Sequence, residues 1–116
     1  MDKNKTREIL KRAQETYGYS NQVSVAAEEC CELAMACNKY IRYPDHETAC
    51  EKIREKIIEE VGDVGICLEH LYMIFQITPE EVAKAKAAKL ERLERWLNAS
   101  SSMYQTTIDR EVVKPE

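Results

Sequence analysis

A chain of 116 residues has room for one hydrophobic core and not two. With only three glycines and three prolines it lacks the turn material of an all-β protein, and 33% charged residues suit solvated helices, so the expected class is all-α. The net charge of −4 and the absence of a basic stripe argue against nucleic acid as a partner, and no run of about 20 apolar residues is present to span a membrane. The polar start MDKNKTRE has no apolar segment behind it, which predicts a cytoplasmic protein. Five cysteines, odd in number and without C-x-x-C spacing, are expected to be reduced thiols. Cys67 and His70 with Cys30 and Cys31 match no common zinc spacing.

The first helix is predicted from about Asn4 to Tyr17, with Ile9, Leu10, Ala13 and Tyr17 on its apolar side and Gly18 as its stop. Ser20 or Asn21 can cap a second helix, whose Val23, Ala27, Cys30, Ala34, Cys37 and Ile41 form one apolar stripe. Tyr43, Pro44 and Asp45 end it, because proline disfavours helical geometry in the residue before it. A third helix is predicted from His46 to Thr48 onward, reaching about Phe75. Its stripe of Ile53, Ile57, Val61, Val64, Leu68, Leu71 and Phe75 keeps the near-heptad spacing of a bundle, and Glu60 borders it. Gly62 and Gly65 weaken that helix, so a close approach by another helix or a ligand is the expected compensation. Thr78, Pro79 and Glu81 read as a capped start for a fourth helix ending near Leu97. The domain is therefore drawn as residues 1–97, four-helix-bundle-like, with residues 98–116 as a polar tail. Tyr17, Tyr19, Tyr40, Tyr72 and Trp96 are expected in the core.

The carboxylates depart from an ordinary solvated surface. Glu28, Glu29 and Glu32 lie in a stretch otherwise made of Val, Ala, Cys, Leu and Met, and Glu60 and Asp63 stand one turn apart in the third helix. No Lys or Arg occurs from Ala13 to Asn38 or from Ile57 to Ala83, so both clusters lack local counter-ions. Buried carboxylates need a cation, a proton or a metal. Hard oxygen donors select Mg²⁺, with Mn²⁺ as an alternative. On the second helix Glu28, Glu32, Met35, Lys39 and Arg42 form one row with Glu29 beside it, anionic at one end for a metal and cationic at the other for phosphate oxygens.

The pattern E-E-x-x-E, here Glu28 to Glu32, followed after a spacer by E-x-x-D, here Glu60 to Asp63, resembles the signature of the MazG-like nucleotide pyrophosphohydrolases of the all-α NTP pyrophosphatase superfamily. The resemblance covers about Tyr17 to Tyr72, including Gln22, Lys39 and Arg42. It implies a MazG-like all-α fold and Mg²⁺-dependent hydrolysis of a nucleoside triphosphate to the monophosphate and pyrophosphate. Glu29, Glu32, Glu60 and Asp63 would then hold the metal, and Glu28 would be a further ligand or orient the water. The catalytic base among them is left open. Such proteins pair their subunits, which implies a homodimer or homotetramer. The same expectation follows from apolar residues on both sides of the acidic row of the second helix. A di-iron bundle would need Glu-x-x-His, which neither cluster has. The other reading is a non-enzymatic helical scaffold with a structural or vestigial acidic site.

Overall fold

The computed structural model describes the backbone of residues 1–43 and 47–113, and the side chains of 1–43 and 50–101. It is all-α among the described residues: α1 is Lys3–Tyr17, α2 Tyr19–Arg42, α3 Glu47–Ile74 and α4 Pro79–Val113. They fall into two compact units, Met1–Ile77 and Thr78–Glu116. No helix among the described residues is long and apolar enough to cross a membrane.

α1 begins at Asp2, whose carboxylate accepts a hydrogen bond from the Lys5 backbone N–H at 2.8 Å, satisfying one of the free donors of the first turn. Gly18 ends it, as predicted, at φ +91°, a conformation that side chains other than glycine's rarely adopt. The same residue opens α2, its carbonyl accepting from Gln22 N–H, so the turn between the two helices needs no further linker. Ser20 and Asn21 thus lie inside α2 and neither caps it. The stop at the other end falls at Tyr43, while Pro44, Asp45 and His46 lie outside the described residues; α3 begins at Glu47, within the start predicted at His46 to Thr48.

α2 and α3 run antiparallel, Ala36 lying near Ile53 at one end and Glu29 near Asp63 further along. The packed row of α2 is Gln22, Ala26, Glu29, Leu33 and Ala36, fully or half buried. It lies one residue before the stripe predicted from hydrophobicity. Ala27, Cys30, Ala34, Cys37 and Ile41 are exposed instead, Ile41 by 70%. Ala26 and Ala36 keep the packed row narrow where α3 lies against it. On α3 the packed row is Ile53, Ile57, Glu60, Val64, Cys67 and Leu71, alternating steps of four and three. Glu60 and Cys67 occupy the places expected for Val61 and Leu68, which stay exposed with Phe75. A Cβ built at Gly62 or Gly65 meets nothing within 4 Å, so the expected close approach is not found among the described residues.

Residues distant in sequence close the other end of this unit. Gln14 of α1 and His70 of α3 are both buried, and the Gln14 amide N–H donates to His70 Nδ1 at 2.9 Å, which leaves the ring proton on Nε2. Burial lowers the His70 pKa, opposed by the charge of Glu69. Stability contributed by the neutral ring is therefore complete above the unfolded value of about 6.5 and is lost as pH falls toward the lower folded value. Melting curves recorded across that range should show His70→Gln less sensitive to acid than the wild type. Parallel pH dependence in both would overturn the assignment.

α3 closes in a Schellman arrangement, with Gln76 at φ +52°, Ile77 N–H on the Tyr72 carbonyl and Gln76 N–H on that of Met73. In the second unit the predicted capping box is present: Thr78 N–H donates to Glu81 Oε2 at 2.9 Å and Glu81 N–H to Thr78 Oγ1 at 3.2 Å. α4 does not stop near Leu97. The polar segment expected as a tail from residue 98 continues the helix to Val113, because no glycine or proline interrupts it before Pro115. The five aromatics expected in the core are exposed: Tyr17, Tyr19, Tyr40, Tyr72 and Trp96. Lys89 Nζ lies 5.2 Å from the centre of the Trp96 ring.

Candidate metal centre

The shift of the α2 seam by one residue decides what the α2 and α3 hairpin encloses. It turns Glu29 toward α3, where the seam position is taken by Glu60, with Asp63 one helical turn further on. One oxygen from each of Glu29, Glu60 and Asp63 lies within 4.8 Å of the others. That separation suits three oxygens around one cation at the roughly 2.0–2.6 Å bond lengths of Mg²⁺ or Ca²⁺.

Glu60 is the most deeply buried of the three, 1% exposed. Lys56 Nζ lies 2.8 Å from Glu60 Oε1 and 3.6 Å from Glu59, one turn back along the same helix. The counter-ion gap predicted around this cluster is therefore not complete, since Lys56 stands just before it. The contact is an ion pair without good hydrogen-bond alignment, and Glu60 Oε2 has no hydrogen-bond partner at all among the described residues. Glu29 Oε2 has none either. Unsatisfied buried carboxylate oxygens are costly, and a hard cation would satisfy them.

The Glu29 pKa is raised, first by desolvation in the seam and then by the charges of Glu32, Asp63 and Glu60. Burial likewise pushes the Cys67 thiol up, with Glu29 next in effect, so this thiol is protonated in the metal-free protein and makes a poor ligand. A set of carboxylate oxygens fits Mg²⁺ or Mn²⁺ better than a thiophilic metal.

The remaining predicted residues separate into two groups. Glu32 lies close enough to Glu29 to act on its charge, and it lines a cavity of about 250 Å³ with Met35, Ala36, Lys39, Lys56 and Glu60. Lys39 also lines an adjoining cavity of about 160 Å³ with Ala36, Lys52, Ile53 and Lys56. Glu28 is exposed and outside the triad, and Arg42, exposed at the end of α2, lines neither cavity. Lys52 and Lys56 are the cations that sequence reasoning missed. Their signal was the row Lys52, Lys56, Glu60 at steps of four, which one face of α3 must present together. A larger cavity of about 380 Å³ lies between α1 and the end of α3, lined by residues such as Arg7, Leu10 and Tyr72. It holds a single carboxylate, Glu69, and none of the triad residues lines it.

The site thus joins a three-carboxylate cluster to a cavity edged by Lys39 and Lys56, next to a second one edged by these and Lys52, on the same two helices. Compared with models of protein families, with curated proteins and with solved structures, the chain matches none.

Proposed function

We propose that the chain is a Mg²⁺- or Mn²⁺-dependent nucleoside triphosphate pyrophosphohydrolase with a MazG-like fold, cleaving between the α and β phosphates. The observation that carries this reading is the meeting of Glu29, Glu60 and Asp63, two of which hold unsatisfied buried oxygens, beside a lysine-edged cavity. Glu29, Glu60 and Asp63 would hold the metal, with Glu32 reaching the same region from the next turn of α2. A divalent ion there supplies the positive charge that phosphoryl transfer requires and acidifies water. Lys39, Lys52 and Lys56 would receive the phosphate oxygens, replacing the predicted pair of Lys39 and Arg42. Glu28 and Glu32 remain the carboxylates available to orient water.

The working unit in this reading is a homodimer or homotetramer. Ile41, Ile58, Val61, Leu68 and Phe75 are exposed along α2 and α3, and a symmetric partner would cover such a face. A scaffold whose acidic cluster is purely structural is the second reading, favoured by the Lys56 ion pair, which partly satisfies Glu60 without a metal.

A mixed panel of ribo- and deoxyribonucleoside triphosphates with Mg²⁺, followed by ³¹P NMR, separates the two. The expected products are a nucleoside monophosphate and pyrophosphate. Release of orthophosphate would overturn the bond assignment, and Mn²⁺ binding without any hydrolysis would favour the scaffold.

A further inference from the structure

We propose that Lys56 is the resident counter-ion of Glu60 in the metal-free protein, and that a divalent cation displaces its ammonium into the lysine-edged cavity, where it completes an anion site. The inference rests on the metal-binding reading above and adds a moving part to it.

Four observations support the exchange. Glu60 is almost wholly buried, so its charge is not left to solvent, and Lys56 Nζ at 2.8 Å is the cation that meets it. Lys56 itself is half exposed, its side chain 50% accessible, so it can leave without burying a new charge. The same side chain lines both cavities, the one shared with Glu32 and Glu60 and the one shared with Lys39 and Lys52. Only Glu60 Oε1 is engaged by Lys56, while Oε2 is without a hydrogen-bond partner among the described residues and Glu29 and Asp63 each bring an oxygen to the same carboxylate, so an ammonium satisfies half of what a divalent ion would satisfy in full.

A four-carbon stem with a compact, mobile charge is suited to such a move. Lys39, Lys52 and Lys56 line one small cavity, where like charges disfavour one another with no anion present, and pairing with Glu60 holds one of the three ammonium groups against a carboxylate. Once a dication neutralises the carboxylates, Lys56 loses its reason to stay, and the cavity becomes more positive. Metal and phosphate therefore bind with positive coupling, each favouring the arrangement the other needs.

The test uses Mn²⁺ alone, by calorimetry, on the wild type, Lys56→Met, Lys56→Gln and Lys52→Met, with circular dichroism confirming the fold of each. Removing the competing ammonium should tighten Mn²⁺ binding at least about fivefold in both Lys56 variants, within the usual range of coupling between sites. Lys52→Met has no contact with Glu60 to lose and should bind Mn²⁺ like the wild type. Both lysine positions should bind inorganic pyrophosphate less tightly in saturating Mg²⁺. In ¹⁵N-detected lysine NMR the Lys56 ammonium resonance should move on Mg²⁺ addition in the wild type. Equal or weaker Mn²⁺ binding in both Lys56 variants, or an unmoved resonance at saturating Mg²⁺, would overturn the exchange while leaving the metal site intact. Failure of every protein, wild type included, to bind Mn²⁺ would remove the metal reading and this inference together.

Discussion

Glu60→Gln is expected to abolish measurable Mn²⁺ binding and, on the proposed function, to lower pyrophosphate release by roughly 10²- to 10³-fold, the scale of removing one preorganised charge from a reacting site. The substitution keeps the shape of the side chain and removes only its charge. Because Glu60 is 1% exposed and Oε2 already lacks a partner, the amide replaces one imperfectly satisfied group with another, and the fold should hold. Lys56 then loses its ion pair, but it is half exposed and solvent takes over. Loss of binding with an unchanged far-ultraviolet spectrum would therefore report on the site and not on unfolding. Glu28→Gln is the informative contrast, since Glu28 lies exposed outside the triad and should retain Mn²⁺ binding whatever its effect on rate. Undiminished Mn²⁺ affinity in Glu60→Gln would remove the carboxylate cluster from consideration as a metal site.

Local signals carried much of the fold. Gly18 could be recognised as a stop, and the Thr78 to Glu81 capping box could be recognised as a start, because each depends on residues within one turn. Glu60 and Asp63 were legible for the same reason, a spacing of three on one helix. The seam of α2 was not. A stripe read for hydrophobicity favours Ala27, Cys30, Ala34 and Cys37, but α3 packs on the neighbouring row, where small Ala26 and Ala36 flank Glu29 and Leu33. Periodicity gives the helix and its amphipathic pattern, yet two adjacent apolar rows differ only in which neighbour each meets. The pairing of Gln14 with His70 was equally hidden, since nothing local to either residue announces a partner on another helix. Lys56 falls outside a gap counted along the chain, because it stands one residue before Ile57, where the stretch without Lys or Arg begins, yet reaches forward a full turn to Glu60. Past Leu97, the run of serines and threonines consists of weak helix formers, but weak propensity does not end a helix that meets no glycine or proline.

The second large effect is an inversion of stability order between Glu29→Gln and the wild type when Mg²⁺ is added. Desolvation and the neighbouring charges of Glu32, Asp63 and Glu60 raise the Glu29 pKa, so its ionised form is the disfavoured one in the metal-free fold. For a carboxyl raised above its unfolded value of about 4.3, the favourable contribution is complete below that value and is lost as pH rises through the folded pKa. At neutral pH, where the unfolded carboxyl is ionised, the metal-free wild type is therefore destabilised by this raised pKa. Glu29→Gln, which has no such group to ionise, should melt higher. Mg²⁺ reverses the balance, because the charge that repels its neighbours is also one that attracts the ion. At a hundred times its dissociation constant, a ligand bound only by the native state stabilises it by about 2.7 kcal/mol, which the wild type would gain and the variant, with a weakened site, would gain only in part. Melting curves of both proteins at neutral pH, with chelator and then with excess Mg²⁺, should cross in order. A variant that melts below the wild type under both conditions would show that Glu29 serves the helix packing and not a cation.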